Sequence, residues 1–150
     1  MRFASLRAAH QETSAASRGR IPARVVLLVA GDLISFLVFA GVGRQSHGEA
    51  SGLAALGQIA ITAFPFALGW YLVAPFVGAY RRSRTDGPRA MLMRTELSWV
   101  CAWPATLLLR WIFSADHRVP VSFAVVILLA NAVFLGLWRT LFAFAERKAR

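Results

Sequence analysis

Four long apolar runs, separated by short polar or basic stretches, organise the chain: Val25 to Gly43, Leu53 or Ile59 to Tyr80, Leu97 to Phe113, and Val121 to Phe144. Each reaches or exceeds the roughly 17–20 residues that a helix rising about 1.5 Å per residue needs to cross a hydrocarbon layer about 30 Å thick. The runs are continuously apolar, whereas a membrane barrel shows alternating segments of about ten residues, so helices are expected and strands are not. The pattern predicts an all-α membrane bundle of four transmembrane helices over residues 23–145. Residues 1–22 read as a disordered basic arm and residues 146–150 as a basic tail. The Val25 run is too long for a secretory signal core and Gly41 to His47 makes a poor cleavage site, so the first span is expected to be retained.

The connecting segments orient the spans. Arg2, Arg7, Arg18, Arg20 and Arg24 precede the first, Arg81, Arg82, Arg84, Arg89 and Arg94 lie between the second and third, and Arg139, Arg147, Lys148 and Arg150 close the chain. The other two connections carry only Arg44 and Arg118. By the positive-inside bias both termini are expected to be cytoplasmic, in a multi-pass protein of the cell membrane. Tyr80, Trp99, Trp111 and Trp138 fall near the expected interfaces, while Trp70 and Tyr71 lie in mid-span.

Composition narrows the class without changing it. At 57% hydrophobic residues in a 150-residue chain, a water-soluble domain would have more apolar surface than its core could hide. The net charge of +10 comes from arginines clustered between apolar runs instead of along one folded face, which argues for membrane topology and against nucleic acid. The strong preference for arginine over lysine, with abundant alanine, suggests a GC-rich, bacterial genome. Cys101, the single cysteine, excludes an internal disulfide and is expected to pack as a small hydrophobe.

Breakers and small residues sit inside the spans. Pro65 and Pro75 in the second, with Gly69 and Gly78, and Pro104 in the third, predict kinks that neighbouring helices must support. Ala74 to Gly78 and Ala132 to Gly136 have the small-xxx-small spacing of closely approaching helices.

Polar residues fall into two layers. Asp32, in mid-span, costs at least about 2.5–3.5 kcal/mol unless it finds a partner, a wet cavity or a proton. It lies about 12 Å above Arg24, and Asn131 about 12 Å above Arg139. Asn131 is therefore expected to donate its amide to the carboxylate, with Arg139 snorkelling part of the way from the inner interface. Asp32, Asn131 and Arg139 form this intramembrane polar layer. It is read either as a packing device or as a proton or cation site. For a packing role, Asp32→Asn is expected to matter little to folding, whereas a large loss would argue that the charge is paired. About 18 Å farther along the first helix, Arg44 and His47 stand at the outer end, with Arg110 of the third span close to the same level. Converging, these three would make a pocket of positive potential for an anionic small molecule or a lipid headgroup. Two histidines, His47 and His117, beside Arg44, Arg110 and Arg118 make a poor cation site, so no metal is expected.

No enzyme motif is present: there is no serine elbow, no HExxH, no phosphate loop and no carboxylate pair within one span. The segments GDLISFLVFAGVGRQSHG (Gly31 to Gly48), AFPFALGW (Ala63 to Trp70), CAWPATLLLRW (Cys101 to Trp111) and FLGLWR (Phe134 to Arg139) occur in that order. In this combination the chain resembles, from Val25 to Arg139, the membrane family known as domain of unknown function 3054. The resemblance implies a prokaryotic integral membrane protein without an assigned activity. It supports the topology and the choice of Asp32, Arg44, His47, Trp70, Arg110 and Arg139, and it supplies no mechanism.

The expected function is that of a small polytopic membrane protein, an accessory or binding component with a polar outer pocket. It is not expected to be an enzyme, and it needs no cofactor. The alternative is a small proton-coupled transporter using Asp32, which with only four helices would have to be a homo-oligomer.

Overall fold

The computed structural model describes residues 22–45, 53–81 and 87–149. Within them the chain forms four helices: α1 (Ala23–Gln45), α2 (Leu53–Val77), α3 (Pro88–Phe113) and α4 (Val121–Lys148). The expected disorder of the amino-terminal arm and the placing of His47, Arg82, Arg84 and Arg150 lie outside the described residues.

Helices α1, α2 and α4 are long and apolar enough to cross a membrane, over Ala23–Arg44, Ala54–Val77 and Val121–Lys148. Helix α3 is of similar length, but Arg89, Arg94, Glu96 and Arg110 interrupt its apolar character. It starts at Pro88, well before the apolar run at Leu97, because proline at the first helical position, after an extended Gly87, is already set for helix. Arg89 and Arg94 are therefore helical residues, not loop residues. Likewise α4 continues through Glu146 to Lys148, where a separate tail was expected from residue 146. Helices α2 and α3 remain helical through Pro65, Pro75 and Pro104.

The four helices close a ring in which α1 packs on α2 and α4, and α3 packs on α2 and α4, leaving α1 and α3 on the diagonal. Neighbours run antiparallel, as their pairings show. Asp32 meets Trp70 while Val29 meets Tyr71, and Trp99 meets Leu128 while Trp103 meets Ala124. In the last two pairs, one turn apart, indole N–H groups donate to α4 carbonyls at 2.9 and 3.1 Å, tying α3 to α4. Helices α2 and α3 approach closely at Gly69, where an added Cβ would stand 2.9 Å from the backbone N and Cα of Thr106. Only glycine permits that contact between α2 and α3.

Phe36, Trp70 and Trp99 fill the middle of the bundle, their ring centroids 5.9–6.4 Å apart. Trp99 is thus a core residue and does not belong to an interfacial belt. Outward faces are apolar: Phe76 is 90% exposed and Val121 80%, with Ile61, Val133 and Leu129 also exposed. Such a surface suits a hydrocarbon solvent. Cys101 lies on this outer surface, not packed inside as expected, because Ala102, its neighbour in α3, is the one turned inward.

Candidate functional site

Asp32 is fully buried on α1, and four donor contacts converge on its carboxylate. The guanidinium of Arg139, on α4, grips it in a fork: Nε donates to Oδ1 at 2.9 Å and Nη2 to Oδ2 at 2.6 Å. The Tyr80 hydroxyl donates to Oδ2 at 2.7 Å. The Trp70 indole N–H is shared between that oxygen at 3.0 Å and the Tyr80 oxygen at 2.9 Å. Two-point pairing of this kind fixes orientation as well as charge. The remaining edge of Arg139 is used as well: Nη1 donates to the Ala79 carbonyl at 2.7 Å, and the guanidinium carbon lies 5.1 and 4.8 Å from the Trp70 and Tyr80 ring centroids.

A turn at the end of α2 makes these contacts reachable. Gly78 has φ +96°, a conformation open to glycine and strained for other residues. Its N–H bonds Pro75 and the Ala79 N–H bonds Ala74, at 3.3 and 2.9 Å, the paired bonds of a Schellman cap. The chain reverses there, presenting the Ala79 carbonyl and the Tyr80 hydroxyl to the buried pair. One turn before Asp32, the Tyr71 hydroxyl donates to the Val29 carbonyl at 2.6 Å, holding α2 against α1. The ensemble therefore joins α1, α4 and the α2 terminus, toward the end of the bundle where Arg24 pairs with Glu146 at 3.1 Å.

The expected polar layer is rearranged. Because α4 runs on to Lys148, Arg139 does not end its helix: it lies well inside it, level with Asp32 and fully buried. Asn131, eight residues earlier on α4, is then about 12 Å farther along and does not reach the carboxylate. Its amide donates instead to the Ile127 carbonyl at 3.1 Å, and its Oδ1 has no hydrogen-bond partner among the described residues. Trp70 and Tyr80, read as a mid-span exception and an interfacial residue, are the donors that complete the site. The sequence cue was PFVGAY: a glycine closing an apolar helix, with an aromatic hydroxyl two residues on.

The outer end is less convergent. Arg110 turns toward α4, its guanidinium carbon 5.5 Å from the Phe123 ring centroid, and its buried Nε has no hydrogen-bond partner among the described residues. Arg44 lies in the last turn of α1, across the diagonal from α3, while His47 is outside the described residues. His117 packs on Trp111, with ring centroids 5.2 Å apart. Among the described residues no group of histidine, cysteine and acidic side chains is arranged to hold a metal ion.

Chemically, the Asp32 centre is closed: its acceptors are filled and its cation is spent, so it resembles a lock more than a vacant site. A family model described as "Protein of unknown function (DUF3054)" matches residues 29–142, an interval that contains every member of this centre. No curated protein and no solved structure matches the chain.

Proposed function

The chain belongs to the DUF3054 family, and from that premise we propose that it is a four-span membrane protein acting as a binding or accessory component, not as an enzyme. In this reading α3 crosses the bilayer with the other three helices and both termini face the cytoplasm. The apolar outward surface and the arginine-rich connections support it. One observation carries the functional part: the Asp32 carboxylate is held by Arg139, Tyr80 and Trp70 with no exposed surface, an arrangement suited to fixing helices. Ligand contact is then left to groups nearer the surface. At the outer end, Arg110, whose buried Nε has no hydrogen-bond partner among the described residues, favours an anionic small molecule or a lipid headgroup as partner.

The alternative, an oligomeric proton-coupled transporter using Asp32, requires this centre to open in each cycle. Reconstitution separates the two readings. Liposomes holding the wild-type protein should keep an imposed pH gradient as long as empty liposomes do, also with small organic cations or anions added as cargo; protein-dependent collapse on such addition would favour the transporter. For topology, labelled cysteines placed at residues 84 and 149 should be reached only from the cytoplasmic side. Label reaching either from outside would overturn the orientation.

A further inference from the structure

Glu96 contrasts with Asp32. It lies on α3, half-buried, and makes no hydrogen bond or ion pair with any described residue. Its carboxylate rests on the α4 backbone at Gly136, where an added Cβ would come 2.5 Å from Oε1. Around it a groove of about 500 Å³ opens sideways between α3 and α4, lined by Leu92, Ala132, Val133, Gly136 and Thr140. The groove is shallow and open to the side, so it would cover one face of a small organic molecule and leave the other to the surroundings.

We propose that this groove takes a lipid-soluble organic cation from the bilayer, its apolar body against Leu92 and Val133 and its positive charge against Glu96. The inference rests on α3 lying in the membrane. There, a carboxyl group without a partner either takes a proton or meets a counter-charge; a cation that displaces the proton must bring its own apolar surface to match the groove walls. A bare divalent metal does not fit, because one carboxylate and one hydroxyl fall well short of the six to eight oxygens that calcium takes. A second copy of the chain is disfavoured where the two-fold axis passes through the groove, since that would set Glu96 against its own equivalent.

The test is equilibrium binding of radiolabelled tetraphenylphosphonium to the full chain in lipid nanodiscs. Saturable binding is expected, weakened about tenfold or more by Glu96→Gln, equivalent to losing at least about 1.4 kcal/mol. Gly136→Leu, which keeps the acid but fills the groove and pushes the carboxylate off the α4 backbone, should weaken it comparably. Triphenylphosphine oxide, a neutral analogue, should compete poorly. Size-exclusion profiles and melting curves report folding of both variants, and the analogue competition on wild type decides the matter should either misfold. Absent saturable binding, unchanged affinity in Glu96→Gln, or equal competition by the neutral analogue would each overturn the proposal. So would a dimer that Gly136→Leu dissolves in a protein that binds no cation. Because topology is read by labelling, a failed binding test with correct topology removes the groove and spares the four-span reading.

Discussion

Replacing Asp32 by asparagine preserves shape and removes charge, which makes it the sharpest perturbation of the buried centre. Asparagine offers one carbonyl oxygen where the carboxylate offered two, so its NH2 group must face a donor in either orientation: Arg139 Nε, or the cluster of Nη2, Tyr80 and Trp70. The cheaper choice sets it against Nε and keeps the crowded side satisfied. Arg139 is still left fully buried with an uncompensated charge. Breaking a buried pair from one side costs about 3–5 kcal/mol, so Asp32→Asn should destabilise the bundle by that order. Nearly isosteric substitution would be harmless only for an unpaired carboxylate; the pairing reverses that expectation. Reversible unfolding in mixed micelles measures the loss. Adding Arg139→Gln removes the orphaned cation, and the double variant should recover a coupling energy of about 1.5–3 kcal/mol relative to the sum of the single changes. A cost below about 1 kcal/mol for Asp32→Asn, or strict additivity in the cycle, would refute the assignment of Asp32 as a charged lock, because an unsatisfied buried group alone accounts for that much.

Other consequences can be measured in the same system. Tyr80→Phe removes a donor to a charged acceptor and should cost about 1.5–3 kcal/mol, whereas Trp70→Phe loses a shared N–H and also opens a void where a fully buried indole fills the bundle, so it should cost at least as much; equilibrium unfolding ranks the two. Gly78→Ala forces a side chain into a positive-φ position and should lose about 1 kcal/mol or more while loosening the Arg139 contact to Ala79, seen as faster amide exchange at residues 78–81. Gly69→Leu puts a branched side chain where even a Cβ meets Thr106 backbone, so at least about 1–3 kcal/mol should be lost, with a lower melting temperature. Glu146→Gln breaks a partly exposed pair with Arg24 and should cost no more than about 1 kcal/mol, a contrast with Asp32 that the same unfolding assay registers.

How far the amino-acid sequence disclosed this arrangement depended on which residues ended each helix. Asp32 stood out because a carboxylate in an apolar run has a large cost, and hydropathy alone exposes that. Its partner was harder to place, because Arg139 followed by TLFAFAERK reads as the edge of a span, yet the helix continues and carries the guanidinium to the level of the acid. Apolar runs locate helices through solvent preference; they do not say where a helix with a charged last turn stops. Tyr80 and Trp70 stood out as aromatics but not as partners of Asp32, for a different reason. An aromatic with a polar tip is equally suited to a membrane interface and to a buried hydrogen bond, and only the reversal at Gly78 decides which occurs. Glu96 was hidden by a boundary: counted with the basic connection it seems ordinary, and it acquires meaning only once Pro88 starts α3 and Gly136 lies beside it.

The pairing of Asp32 with Arg139 spans 107 positions of the chain. At roughly 5–20 residues per second, α1 waits about 5–20 s during synthesis before its counter-ion has been made. Throughout that interval the first helix must keep its acid protonated or near water, so commitment of the whole bundle awaits the last helix. A chain ending before Arg139 would retain α1 to α3, the first part of α4 and an acid without its guanidinium, the kind of defect by which a cell could tell an unfinished membrane protein from a finished one.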